Sequence, residues 1–328
     1  MAKIRCIEVC ALMILYCISI TFSGGLQESE AKERNVLLGI NGLHLGPQVI
    51  DVVSYSLHNR TWNTLIPNIT DYSYSTWFIP SFFTAYCSTT RVFYVLVDDK
   101  TQNKLVAVDV RRRKVIGTMK FDGRLKYQHC DEKTGNLVGL LDTSGERNRK
   151  LVMIDFGARK TSTLFTSAHG NFPYYATTLD MTGKRFFFNT VIPHSEPPNY
   201  TLVTLDFKRQ KTEVSPVYTN YSIDGLLYED STKKLYGFLQ TPSTGYEGPK
   251  YKAVLGDMDP TAGTFEAVSD VWPGQGAYYD VGLTLDPKKR LMYIMLYDKL
   301  ITLCLKSGKT LYVDEQDRKG IELHFARI

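Results

Sequence analysis

The chain lacks the signatures by which most enzymes show themselves. It has no Gly-x-Ser-x-Gly elbow, no glycine-rich phosphate loop and no dinucleotide fingerprint. Its histidines (His44, His58, His129, His169, His194 and His324) are scattered, none beside a cysteine pair, so the common zinc spacings are excluded. Charge is sparse: 22% of residues are charged and the net charge is +5. That balance excludes a disordered polyelectrolyte and a strongly basic nucleic-acid binder, so no nucleic-acid partner is expected. Beyond Phe22 no apolar run approaches the roughly 18 residues a membrane helix needs, and no membrane span is expected there. Cysteine is scarce as well, with six in 328 residues.

What is present begins with a leader. Lys3 and Arg5 precede an apolar run from Val9 to Phe22, of about 14 residues, followed by Ser23, Gly24 and Gly25. Residues 1–24 therefore read as a signal peptide, and the mature chain as secreted and extracellular. Glu8 sits awkwardly near the start of the run, and an uncleaved anchor is the alternative. Residues 25–35 read as a flexible lead-in. The leader takes Cys6, Cys10 and Cys17 with it and leaves Cys87, Cys130 and Cys304, an odd number. Each falls in a predicted strand, where a cysteine is most simply a small buried apolar residue. Cys87 and Cys130 hold similar places in successive repeats, which leaves a bridge between neighbouring repeats open. Four sequons, at Asn59, Asn68, Asn199 and Asn220, all in predicted turns, predict a glycoprotein.

The stretch from Asp280 to Val313 organises the rest. It holds four short strands joined by the turns DPKKR, YDK and KSGK, the grammar of one propeller blade. Earlier units repeat it at about 45 to 55 residues. Each first hairpin turns on a polar segment such as CSTTR, DEKTGN, DMTGKR or EDSTKK, and third strands end near an aspartate, as in AVDV, MIDF and TLDF. Second strands such as RVFYVLV are apolar on both faces, as sheets covered on both sides require. The first repeat lacks an innermost strand, and residues 321–328, IELHFARI, form a strand without a place in their own repeat. Pairing the two closes a ring and removes two loose edges. The expected architecture is an all-β, six-bladed β-propeller of four-stranded blades over residues 36–328, with seven blades as the alternative. Gly274-Gln275-Gly276 reads as a turn between strands.

At the turns Asp180-Met181-Thr182-Gly183-Lys184 and Asp286-Pro287-Lys288-Lys289-Arg290, each followed by an aromatic-rich strand, the chain resembles the YVTN, NHL and SMP-30-like propellers. The resemblance covers nearly the whole mature chain and implies fold rather than activity. Some members of that superfamily are calcium-dependent lactonases or esterases with a channel metal on Glu, Asn and Asp side chains. No such set matches here residue by residue, so no catalytic residue is carried over and no cofactor is predicted. Calcium is the one ion the resemblance implies.

Propeller geometry sorts the remaining candidates onto two faces. Turns between strands one and two, and three and four, share one face and carry most of the Lys and Arg. The sharpest group is Arg111, Arg112, Arg113 and Lys114, followed by Arg159, Lys160, Lys208 and Arg209. Such a face attracts polyanions, which outside the cell means acidic polysaccharide or acidic matrix protein. The alternative is that these cations only solubilise the turns. On the other face, Tyr127, Tyr175, Tyr221 and Tyr279 enter the innermost strands, with Asp224 and Asp280 at comparable positions. They suit a funnel for a small cationic or sugar-like ligand, or else rings packed between blades with hydrogen-bonded carboxylates. The expected function is a non-catalytic binding or extracellular-matrix module. A channel-metal hydrolase is the competing class.

Overall fold

The computed structural model describes residues 34–41, 50–69, 84–98, 103–143, 149–167, 176–191, 200–216, 218, 221–240, 250–269, 272–275, 281–296, 299–315 and 321–328. The predicted signal peptide and most of the lead-in lie outside these residues, as do Asn199, Asn220, Tyr175, Tyr279 and Asp280. Residues Asn35–Ala326 form one compact unit, and the regular structure of its described residues is strand throughout. No helix among the described residues is long and apolar enough to cross a membrane.

In chain order, blade 1 contains β1 (Asn35–Asn41), β2 (Asp51–Ser56) and β3 (Thr61–Ile66). Blade 2 is β4 (Thr84–Cys87), β5 (Val92–Asp98), β6 (Asn103–Asp109) and β7 (Lys114–Lys120). Blade 3 is β8 (Arg124–Asp131), β9 (Asn136–Asp142), β10 (Arg149–Asp155) and β11 (Lys160–Ser167). Blade 4 is β12 (Thr177–Asp180), β13 (Arg185–Val191), β14 (Tyr200–Asp206) and β15 (Lys211–Val214). Blade 5 is β16 (Ser222–Glu229), β17 (Lys234–Gln240), β18 (Lys250–Asp259), β19 (Thr264–Ala267) and β20 (Trp272–Gln275). Blade 6 is β21 (Gly282–Asp286), β22 (Leu291–Met295), β23 (Lys299–Cys304) and β24 (Lys309–Glu315), and the chain ends in β25 (Ile321–Arg327).

The six sheets are six blades, and β25 joins the first of them in the order β25-β1-β2-β3. The C-terminal strand thus supplies the missing innermost strand and closes the ring, as the leftover IELHFARI segment predicts. Successive innermost strands, β4 to β8 to β12 to β16 to β21, lie side by side around the axis. One segment departs from expectation. Gly274 and Gln275 belong to β20, which pairs antiparallel with β18 at Lys250–Ala253. At ten residues β18 is long enough to carry β19 along one half of its outer edge and β20 along the other.

The core is divided among the blade interfaces. In β5, Phe93, Val95 and Val97 pack towards blade 1 while Val92, Tyr94 and Leu96 pack towards blade 3. Alternate side chains point to opposite faces of a strand, so a strand buried on both faces must be apolar at every position. The last interface, between blades 6 and 1, is built from Tyr293, Met295 and Leu300 against Leu37, Tyr55 and Leu323.

Innermost strands also clasp their neighbours at a repeated position. Cys130 on β8 is bonded to Cys87 at the end of β4, across 43 residues of chain. Tyr228 holds the same place on β16: its N–H donates to Thr178 Oγ1 at 2.8 Å and its ring stacks on Phe187. Phe325 holds it on β25, donating to Thr284 Oγ1 at 2.8 Å and stacking on Tyr293. One backbone position thus ties a blade to its predecessor by three chemistries. The buried-thiol reading of Cys87 and Cys130 is corrected by this pairing, because the repeat brings the two sulfurs together. Cys304 remains a free cysteine. Replacing both bridged cysteines by alanine is expected to cost about 2–4 kcal/mol, since the crosslink restricts the unfolded chain. Chemical unfolding of the variant and of the oxidised wild type checks this, and equal stabilities would refute it.

Candidate functional site: a basic arc on the rim

The turns that carry the cations share one backbone design. An aspartate ends the strand and its Oδ1 accepts the N–H three residues on: Asp109 from Arg112, Asp155 from Ala158 and Asp206 from Arg209, each at 2.8 Å. The residue after that donor turns left-handed, with φ of 52° at Arg113, 55° at Arg159 and 56° at Gln210. Glycine adopts this conformation most easily and does so at Gly263 and Gly308, in the equivalent turns of blades 5 and 6. Blades 1, 2 and 3 place arginine there instead, Arg60 in blade 1 having φ of 54°.

The structure neutralises some of the turn cations and leaves others, among them Lys133, Lys288 and Lys289 on the inner turns, exposed. On the inner turns, Arg185 bonds Asp180 at 2.7 Å, Lys233 bonds Asp230 at 2.7 Å, and Arg290 reaches Glu229 and Tyr236 in the preceding blade. Contact with the Glu229 carboxylate raises the pKa of Arg290 further. On the outer turns of blades 2, 3 and 4 the balance differs. Arg111, Arg112, Arg113, Lys114, Arg159, Lys160, Lys208 and Arg209 are all exposed. Arg112 and Arg209 lie 3.7 Å from Asp109 and Asp206, each in its own turn. For the other six no carboxylate partner exists among the described residues.

These turns are also contiguous. Arg159 Nη2 donates to Thr118 O on β7 at 2.8 Å, so the outer turn of blade 3 rests on the outer strand of blade 2. Gln210 Nε2 donates to Leu164 O on β11 at 2.9 Å, joining blade 4 to blade 3 in the same way. The result is one arc of positive charge along the rim. Its limits are visible: the outer turn of blade 5, Pro260 to Gly263, adds no cation, and in that of blade 1 Arg60, beside the exposed sequon residue Asn59, is paired with Asp314 at 3.1 Å. Asn68 is also exposed, with its N–H on Asp51 Oδ1 at 2.8 Å.

At the opposite end of the innermost strands the described residues are largely enclosed. Tyr127 is buried, in a bulge of β8 between Lys126 and His129, with φ of 56°. Gly139 lies beneath that bulge, where a Cβ would stand 3.1 Å from the Lys126 carbonyl oxygen. Tyr221 is half-buried, its ring edge-on to Phe265 at 5.0 Å. Asp224 occupies a second bulge, in β16, and accepts from Ser222 Oγ at 2.7 Å and Gln240 Nε2 at 2.6 Å. Burial pushes its pKa up to about 7 against the opposing pull of those two donors. Among the described residues no group of three or more His, Cys, Asp or Glu could hold a metal ion.

Two histidines that look unrelated in the sequence occupy matching places. His129 Nε2 lies 2.8 Å from Thr177 Oγ1 in the next blade and its ring is edge-on to Phe186. His324 Nε2 lies 2.8 Å from Thr84 Oγ1 and its ring is edge-on to Phe93. Both side chains are half-buried, and desolvation of the rings governs their titration. Burial lowers His129 to about 4. Burial, aided by the charge of His129, lowers His324 to about 3.

No protein-family model matches the chain, and no curated protein sequence matches it. Solved structures do. A nidogen–laminin complex structure includes a chain with a TM-score of 0.58 and 10% identity, the match covering 89% of this chain and 98% of that one. TolB from Acinetobacter baumannii gives a TM-score of 0.57 at 10% identity, covering 89% of this chain and 66% of that one. At one residue in ten identical, the likeness establishes the β-propeller fold and nothing narrower.

Proposed function

We propose that the protein is a secreted, glycosylated, non-catalytic binding module that holds acidic polymers on the basic arc of blades 2 to 4. The observation that carries this reading is the contiguity of three outer turns rich in exposed cations, six of them without a carboxylate partner among the described residues. The similar nidogen chain was solved in a complex with laminin, which fits a rigid ring used for binding.

The test is binding of the purified protein to a sulfated and to a neutral polysaccharide across a salt series. The sulfated polymer is expected to bind selectively and to weaken steeply with salt, because exposed charges are screened within about 10 Å at 0.1 M. Changing Arg111, Arg112, Arg113 and Lys114 to glutamine should weaken binding at least tenfold at low salt, about 1.4 kcal/mol. Absence of binding by the wild type at low salt would return these cations to a purely solubilising role.

A further inference from the structure

Among the described residues, the large apolar side chains exposed by 40% or more are Val115, Ile116, Val214, Leu311, Tyr312 and Val313. All of them lie on outer strands, β7, β15 and β24, and each of those strands opens with a lysine, Lys114, Lys211 or Lys309. Charge and apolar surface therefore adjoin on each of these three separate edges. Blade 2 holds the fullest version, because Val115 and Ile116 follow directly on Arg111–Lys114.

The backbone explains how two consecutive apolar residues both face out. On β7 Ala107 pairs with Gly117 and Val108 with Val115, so Ile116 is an extra residue in a β-bulge. The same bulge recurs in blades 1, 3 and 6, where the extra residue is Leu65, Leu164 and Leu311, the last as exposed as Ile116. Leu65 is only 9% exposed, against 45% for Ile116. Leu164 is partly covered, packed against the apolar core of blades 3 and 4. Exposure of Ile116 is thus not forced by the bulge. Gly117 beside it lets Phe156 of blade 3 approach, a Cβ there standing 3.3 Å from the ring.

We infer that the outer edge of blade 2 takes an acidic protein segment, its carboxylates on Arg111–Lys114 and its apolar side chains on Val115 and Ile116. This rests on the reading of the basic arc and narrows it. A sulfated polysaccharide supplies the anions but no aliphatic side chains, so it leaves Val115 and Ile116 in water. Burial of that pair rewards only a partner that brings apolar groups in register with its charge.

Two peptides of equal charge serve as probes, one alternating glutamate with leucine and the other alternating glutamate with serine, alongside a sulfated polysaccharide and phosphatidylserine vesicles. Each is titrated against the full chain, against V115S/I116S and against the Arg111–Lys114 glutamine variant, with melting temperature as the folding control. The leucine peptide is expected to bind at least fivefold more tightly than the serine peptide. V115S/I116S should erase that preference and leave polysaccharide binding unchanged. Equal binding of the two peptides, or a preference that survives V115S/I116S, overturns the inference. If polysaccharide binding is then still lost in the glutamine variant, the basic arc stands without it; if nothing binds the wild type, both fall. Vesicles bound more tightly than the leucine peptide, with V115S/I116S abolishing it, would reassign the edge to a lipid surface and also overturn the inference.

Discussion

Removal of Ile321–Ile328 should leave a chain with no cooperative melt. The deletion takes away the whole inner strand of blade 1 and with it buried Leu323 and Ala326, the Phe325 clasp on Tyr293 and Thr284, and the His324 contact with Thr84. Burial of one leucine contributes about 1.5–3 kcal/mol. The larger loss is collective, because blades 6 and 1 no longer meet and β1 gains an open edge. The sum is on the order of 10 kcal/mol, comparable to the 5–15 kcal/mol that holds a typical domain together. Thermal melting followed by circular dichroism, with gel filtration of the product, reads the outcome. A soluble monomer with a wild-type transition would show that the ring does not depend on its closing strand.

Acid should destabilise the fold through His129 and His324, half-buried rings whose pKa values desolvation lowers. Their pKa values are depressed to about 4 and about 3, so between those values and the ordinary 6.5 the unfolded chain binds protons that the folded chain does not. Stability contributed by each ring is complete above pH 6.5 and declines as pH falls through the folded value, by on the order of a few kcal/mol per ring. Asp224 acts in the opposite direction. Its folded pKa is raised to about 7, so its contribution is complete below the ordinary carboxylate value and disappears as pH rises towards 7. Urea unfolding between pH 4.5 and 7 should therefore show a net positive slope of stability with pH. His129→Phe combined with His324→Phe should flatten or reverse that slope, whatever it does to stability at pH 7, and Asp224→Asn should steepen it. Identical slopes in wild type and the double variant would exclude the histidines as the source.

Most of the architecture was legible because burial on both faces leaves a mark that sequence preserves. Runs such as RVFYVLV and RFFFNTV cannot lie on a solvated sheet, and the aspartate-ended turns between them recur often enough to set the blade. The closing strand was legible by subtraction. β20 was not, since Trp-Pro-Gly-Gln has the composition of a turn and its pairing is set by the unusual length of β18. The matching histidines were invisible for a topological reason: His129 and His324 are 195 positions apart in the numbering, and their equivalence emerges only when the last strand is placed in the first blade. The bulges that bury Tyr127 and Asp224 are properties of the backbone, with no distinguishing residue type. Which cations are neutralised was equally hidden, because Arg290 finds Glu229 in another blade while Arg113 has no such neighbour.

The bulges of the outer strands bear on how molecules of this protein meet one another. A straight outermost strand offers a free row of amide and carbonyl groups on which a second copy could continue the sheet. Here the row is interrupted on β3, β7, β11 and β24, and β15 and β19 are only four residues long. Six potential docking edges are thereby blunted without any covering helix among the described residues. Crowded solutions of the ring should accordingly stay dispersed, and the apolar residues exposed on β7 and β24 are left available to partners that recognise side chains rather than backbone.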